Sequence, residues 1–413
     1  MKKIKEYMNI YTNLYPFSGA VLAIKDGEEL FKEYFGKSSE EHSVSFNENT
    51  KIKIASLTKQ FTSMAIMILK ESGKLSLNES VTKFFPDYPE LDSRITIHHL
   101  LSHTSGLFND FSVVDPHLYM GKRMFSHEEI FDVFKDMSLD FNPGEDWDYC
   151  FFGYYLLGVI IERVSKQSFI EFLTDNIFEP LGMNNTGIDD YRKIVSNKAS
   201  GYSESNGQLV QCEIDTMSAF SSGALYSALE DMKKWDGALY SNVLISKDSM
   251  DEMFTDYKNE YGYGWNVETV SNRRRVNHSG GGSGYNHQFH RYLDDKLTVI
   301  VLSNYGFTNS WDIANNIADI IFNIDIETPS KLKASKIDSN LLEEYCGLYE
   351  GRFQKFDVRV NNKELFFIRD NNWVVNMYPI SNTTFRNKWT DSEYSFRKDE
   401  DGLLSFCWVK KTG

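Results

Sequence analysis

Apolar and polar positions change period several times along this chain. In residues 19–36, GAVLAIKDGEELFKEYFG, two extended runs flank an Asp-Gly pair, which predicts two strands joined by a tight turn. Between residues 54 and 74 the period lengthens. Leu57, Phe61, Met64, Ala65 and Ile68 fall on one helical face, and Ile66, Met67 and Leu69 fill most of the remainder. The pattern predicts a helix buried nearly all round and stopped by Gly73. Three more helix starts are predicted from serine–glutamate pairs three apart, Ser126 with Glu129, Ser168 with Glu171 and Ser227 with Glu230. Strand periodicity returns in YGYGWNVETV, RRRVNHSG, GYNHQFHRYL and KLTVIVLSN (261–304), and a helix follows at WDIANNIADIIFNI. The simplest assembly is one antiparallel sheet built from both ends of this region with a helical block inserted between. The helix that begins near Ser56 then lies at the seam, where a cleft is expected.

Residues 327–340, around ETPSKLKASKIDS, are polar, carry a proline and lack an apolar period, so they read as a linker. From residue 341 the alternation resumes in FDVRV, KELFFI, WVVNMY, TTFRNKW, EYSFRK and LLSFCWV, predicting a small all-β barrel or sandwich of about six strands. The expected division is residues 1–326, a linker at 327–340, and a barrel at 341–413. No internal repeat stands out.

Composition narrows the function classes. The 413 residues are 41% hydrophobic and 15% aromatic, as expected of packed domains, and the formal net charge is -15. That charge argues against nucleic acid or an anionic membrane as a partner and fits a small-molecule or short-peptide substrate, with a homodimer allowed. The N-terminal lysines are followed by no apolar run and no run of 18 apolar residues occurs, so a cytoplasmic protein is expected, or a secreted one if a leader precedes this sequence. Cys150, Cys212, Cys346 and Cys407 form no C-x-x-C pair and read as free thiols. His99 and His103 are four apart in ITIHHLLSHTSGL, but no carboxylate ligand accompanies them, so they read as packing histidines and no metal or cofactor is expected.

The chemistry centres on Ser56 and Lys59. Residues three apart share a helical face, so hydroxyl and ammonium should be neighbours in an apolar wall. Without other support, the serine is an N-cap and the lysine reaches out to water. Alternatively the lysine, its pKa lowered by burial, activates the serine as a nucleophile. Two further stretches bear on the choice. FNPGEDWDYCFFGYYLLG places Tyr149 in a loop just before an apolar helix, where a tyrosine beside a cation can act as a base. VNHSGGGSGYNHQF puts Gly280, Gly281 and Gly282 at a strand end, where bare backbone can offer half of an oxyanion hole. Ser283 is a rival nucleophile there, without a neighbouring lysine or histidine. Arg273, Arg274 and Arg275 read as a solvated turn, the other reading being a clamp for a substrate carboxylate near His278.

Taken together, and in this order, these elements resemble the serine β-lactamase-related hydrolases, the group of class C β-lactamases, DD-peptidases, D-aminopeptidases and esterases. Ser56-Leu57-Thr58-Lys59 is similar to their S-x-x-K element. Tyr149-Cys150-Phe151 falls on their Tyr-x-Asn and His278-Ser279-Gly280 on their Lys/His-Thr/Ser-Gly; HHLLSHTSGL and SSGALYSALEDMKKW also match. The likeness spans about residues 15–325, and YCGLYE onward resembles the lipocalin-like barrel appended to many members. The resemblance implies an α+β fold (α/β type), an antiparallel sheet flanked by helices plus a helical subdomain. It implies acyl transfer, with Ser56 attacking a carbonyl, Lys59 and Tyr149 sharing the proton, and backbone N–H groups of Ser56 and Gly281 holding the oxyanion. His278 would lie near Tyr149 and the substrate's polar end, titrating near neutrality, and Phe151, Ser279 and Gly280 would line the substrate site. Phe151 replaces an asparagine that offers an amide to substrate, so weak β-lactamase activity and a preference for apolar acyl groups are expected. The alternative is a non-catalytic binder or sensor that keeps the fold.

Overall fold

The computed structural model describes residues 2–108, 126–134, 137–212, 219–282, 284–330, 335, 337, 339–351, 354–361, 364–369, 373–387, 389–390, 393–398 and 404–409. Helix α1 (Lys2–Leu14), which the pattern analysis passes over, precedes the hairpin of β1 (Gly19–Lys25) and β2 (Glu28–Phe35). Its turn is Asp26-Gly27, with φ of 51° and 83°, the left-handed pair that matches strand twist. Helix α2 (Thr58–Glu71) and helix α3 (Phe151–Ser165) form the centre of the helical block. Strands β3 (Asn266–Val270), β4 (Arg273–Gly282), β5 (Tyr285–Tyr292) and β6 (Leu297–Ser303) follow, then helix α4 (Ser310–Phe322).

The sheet order is β3-β4-β5-β6-β1-β2, antiparallel throughout. The two chain regions join at β6 and β1, in register from Gly19 opposite Ser303 to Lys25 opposite Leu297. Both faces of the sheet are covered, so β1 and β6 are continuous apolar runs rather than half-polar ones. Ala20, Leu22 and Ile24 pack toward the helical block; Val21 and Ala23 pack toward α1 and α4. Gln60, Thr62 and Ser63 of α2 are buried along with its apolar residues, as expected for a helix enclosed on all sides.

Two of the three predicted helix starts carry capping boxes, at Ser126–Glu129 and Ser168–Glu171. The third fails for a tertiary reason. Ser227 ends a short strand and bonds Thr186, while Glu230 turns to Lys32 and Tyr34, so the helix that follows begins from Ala228 without a side-chain cap.

Beyond the linker region, seven strands from Gly347–Gly351 to Leu404–Val409 pair strictly in sequence order and curl into a nearly closed barrel. The strand beyond the expected six is GLYEG, whose glycines hide its periodicity. The barrel has its own apolar cluster, including Val358, Leu365, Phe367, Met377, Phe385 and Phe396. It touches the main body through a hairpin, Gly201–Ser205 with Gln208–Cys212, where the Asn206 N–H donates to Val374 O at 2.8 Å. Among the described residues no helix is long and apolar enough to cross a membrane.

Candidate active site

Ser56 sits in a 3-10 turn, Ala55–Leu57, one residue short of α2. No side chain caps either the turn or the helix, so the Ser56 hydroxyl is not spent on a backbone N–H. Ala55 adopts φ of 49°, the left-handed region that a residue with a Cβ seldom enters. Strain at Ala55, just before the residue that presents a hydroxyl, fits a functional turn.

Lys59 does not reach out to water. It is 1% exposed, and its Nζ donates to Ser222 O at 2.8 Å and to Ser56 Oγ at 3.3 Å. Burial lowers its pKa to about 7, because removing water penalises the charged form. A neutral amine within reach of a hydroxyl proton is a working general base at physiological pH. Ser222 belongs to a four-residue helical turn, Phe220–Gly223, held to α2 and α3 by Thr62 Oγ1 donating to Ser221 O at 2.6 Å and Ser221 Oγ to Tyr154 O at 2.8 Å.

The Tyr149 loop is laced to the segment after the short helix Ile97–Leu101. Gly144 N donates to Thr104 O, Asp148 N to His103 O, and Cys150 N to His103 Nδ1, at 2.8, 3.0 and 3.0 Å. His103 also packs its ring 4.5 Å from that of Tyr149. Together these contacts set Tyr149 so that Lys59 Nζ lies 4.7 Å from its ring centre. Cys150 is the N-cap of α3, and Phe151 opens the helix as a partly buried side chain packed against the main core. The histidines are thus structural: His99 closes a capping box with Thr96, His98 Nδ1 meets the Tyr263 hydroxyl at 2.7 Å, and among the described residues no cluster fit for a metal ion occurs.

Strand β4 supplies the opposite wall. Its first half, through Asn277, pairs with β3; residues 278–282 run past the end of β3 and pair only with β5. The strand is therefore interior in one half and an edge in the other, and the free half faces the Ser56 turn. Gly280 is the point of closest approach. A Cβ there would run into the carbonyl oxygen of Ile54 and come 3.1 Å from Leu57 Cγ, whereas one at Gly281 or Gly282 would meet nothing. Ser279, Gly281 and Gly282 are exposed while His278 and Gly280 are buried. Ser283 lies outside the described residues.

His278 departs from expectation. It is 2% exposed, its Nδ1 lies 2.7 Å from Ser279 O, and its Nε2 lies 3.0 Å from the Tyr261 hydroxyl. Burial, then the neighbouring Lys59 charge, pushes its pKa down to about 3. Titration near neutrality thus moves from His278 to Lys59. The arginine run divides, Arg273 partly exposed and Arg274 exposed beside the Ser271-Asn272 turn, and Arg275 buried. Arg273 pairs with Asp295, and Arg274 donates to Phe254 O. Arg275 is buried on the other face of the sheet with Glu268, Asn315 and Tyr292. Alternation along β4 separates Arg275 from His278, so no carboxylate clamp forms there.

Ser56, Lys59, Tyr149 and the 278–282 strand end thus come together from three separated segments, while the Phe151 side chain packs on the main core. Sequence reasoning assigned no role to Ser222, read His103 as a packing histidine and assigned no role to Tyr261. The first two lie in the SSGAL and HTSGL stretches that carried the resemblance; Tyr261 lies in YGYGW, read only as a strand.

Comparisons with known proteins bear on the family and the fold. The family model described as Beta-lactamase matches residues 15–321. Penicillin-binding protein 4* of Bacillus subtilis (strain 168) is 30% identical over 94% of this chain and 92% of its own length. The octameric penicillin-binding protein homologue from Pyrococcus abyssi superposes with a TM-score of 0.72 at 24% identity, covering 99% of this chain and 96% of its own. The D-amino acid amidase from Ochrobactrum anthropi SV3 gives 0.68 at 21%, covering 78% and 99%. These two structures speak to the fold. With three-quarters of its length matched in sequence and its serine–lysine pair seated at the seam, the chain belongs to the beta-lactamase family.

Proposed function

We propose that this protein is a serine hydrolase acting through an acyl-enzyme on Ser56, with ester, amide or D-amino-acid peptide-like substrates and weak or no true β-lactamase activity. The observation that carries the reading is the buried Lys59, its Nζ 3.3 Å from Ser56 Oγ and its pKa about 7. In the first step Ser56 Oγ attacks the carbonyl carbon and its proton passes to Lys59, with Tyr149 sharing the transfer. N–H groups of Ser56 and Gly281 take the oxyanion, which forms as the carbonyl π bond opens. The tetrahedral adduct collapses, its bond to the leaving alcohol or amine breaks, and the leaving group receives the proton. Water then attacks the acyl carbon, giving its proton to the same base, and Ser56 is released with its hydroxyl restored. Ser279 and Gly280 border the substrate, and His278 supports the Tyr149 side of the site. Phe151 removes an amide donor from the wall, which supports apolar acyl groups over β-lactams. Residues 1–326 hold this machinery, with 327–340 as linker and the barrel at 341–413 as an accessory unit.

The test uses the full chain with p-nitrophenyl acetate and, separately, a fluorescent penicillin, following intact mass and product release. The expected result is a Ser56 adduct that turns over with the ester, slow or absent turnover with the penicillin, and neither in Ser56→Ala. A folded protein that forms no adduct with either reagent would instead be a binder that keeps the fold.

A further inference from the structure

The cage around His278 specifies more than a position. Its Nδ1 faces the carbonyl of Ser279, an acceptor, so Nδ1 carries the proton. A neutral imidazole has one N–H, so Nε2 is an acceptor and takes the hydroxyl proton of Tyr261 at 3.0 Å. That hydroxyl keeps its proton because burial drives the Tyr261 pKa well above the usual phenol value. Tyr261 is itself fixed. Its ring lies 4.6 Å from His103, 6.0 Å from Trp147 and 6.3 Å from Tyr149, and its N–H donates to Lys258 O. The groups facing His278 are Lys59 from α2, Tyr149 and Tyr261 from the flanking loops, His103 beyond them, and the Ser279 carbonyl of its own strand. A second positive charge there would sit beside Lys59, in a place water does not reach. Both His278 nitrogens are therefore committed, and the imidazole has no N–H left for a substrate anion. Lys59 Nζ is likewise engaged by Ser222 O and Ser56 Oγ.

We propose that Tyr261 is a positioning residue that locks His278 as a neutral, Nδ1-protonated imidazole. The site accordingly takes acyl donors with no carboxylate next to the scissile bond. The substrate class is an uncharged ester or amide, not a peptide that ends in a free carboxylate at the leaving group. A carboxylate brought against this wall would lose its water without gaining a cation or an N–H from His278. The proposal rests on the acyl-enzyme reading above and refines it.

The experiment pairs two esters that differ in the charge of the leaving group: phenylacetylglycyl-D-lactate, with a free carboxylate, and its methyl ester. Turnover is read as release of phenylacetylglycine, so that cleavage of the methyl ester bond is not counted. The full chain should turn over the methyl ester with kcat/KM about tenfold or more above the free acid, the gap lying mainly in KM. Tyr261→Phe keeps the ring and removes the hydroxyl. It should narrow that gap, because Nε2 loses the partner that holds the ring in place and the imidazole can turn its N–H toward the substrate. Nitrogen NMR of His278 should report Nδ1 protonated and Nε2 bare from pH 5.5 to 8 in the native protein. A native enzyme that prefers the free acid overturns the proposal while leaving Ser56 acylation intact. A Tyr261→Phe variant with unchanged discrimination and an unchanged His278 tautomer also overturns it, since packing alone would then account for Tyr261. Failure of both esters to acylate Ser56 sinks the acyl-enzyme reading instead.

Discussion

The sheet buries cations on both sides of strand β4, and the two environments treat them oppositely. On the far face Arg275 meets the Glu268 carboxylate at 2.7 Å, with Asn315 and Tyr292 filling its remaining donors and the Trp311 ring 4.9 Å from its guanidinium carbon. At the seam Lys59 meets a carbonyl and a hydroxyl, and burial lowers its pKa to about 7. A buried charge with a carboxylate stays a charge and serves architecture. A buried ammonium given only neutral oxygens surrenders its proton near neutrality and becomes a base. Both side chains are almost fully enclosed; a guanidinium keeps its proton by its own chemistry and takes the carboxylate as a structural partner, whereas an ammonium can give its proton up.

The comparison can be broken most severely at Lys59. Lys59→Met should lower kcat/KM on a reactive ester by about 10²–10⁴-fold, the usual share of a positioned base. In the native enzyme kcat/KM should rise with pH through an inflection near 7, since the base works deprotonated. A flat profile between pH 5.5 and 8 would remove Lys59 from the role. Arg275→Met should behave in the reverse sense. It strands Glu268 and Asn315, so denaturant melts should show a loss of about 3–5 kcal/mol. The kcat of the folded fraction should stay within a few-fold of native, because the substituted side chain points away from the seam.

Two neighbouring glycines sharpen the picture with a smaller effect. Gly280→Ala places a methyl against Ile54 O and must push the strand end off the Ser56 turn, for a loss of about 10²-fold in kcat. Gly281→Ala finds open space, and kcat should fall by less than tenfold. Equal effects in the two variants would contradict the close-approach argument. The smallest effect is on stability. The folded pKa of Lys59, about 7, lies below its unfolded value near 10.5. Between those values the unfolded chain binds the extra proton, so stability rises with pH across that window. Below pH 7 the buried lysine costs most. Lys59→Met should therefore melt higher than native at pH 6, with the gap closing toward pH 10; a constant gap would contradict the linkage.

Much of the architecture was legible because period and turn chemistry are local. The β1–β2 hairpin, the all-round apolar helix ending at Gly73, and strands β4 to β6 follow from spacing alone. Other elements were not. Residues Tyr261–Trp265 read as part of a strand but form an irregular segment. There Tyr257 N donates to Tyr261 O and Tyr261 N to Lys258 O across a tight turn, and Gly264, at φ of 78°, lets the chain pass over the Lys59 backbone. The Ser227–Glu230 box failed because more distant partners, Thr186 and Lys32, outcompeted a local bond.

For the site, the sequence by itself determined which residue types were available and that Ser56 and Lys59 would be neighbours. Helical spacing decides a pair three apart without help from the fold. Only the tertiary structure decided what the pair is. It took the serine out of the capping position, enclosed the lysine against Ser222 O and, among the described residues, gave it no carboxylate partner. It also turned His278 from an expected near-neutral titrating group into a neutral one bonded to Tyr261. A proton's affinity depends on water excluded and partners supplied, and both come from segments far apart in the chain.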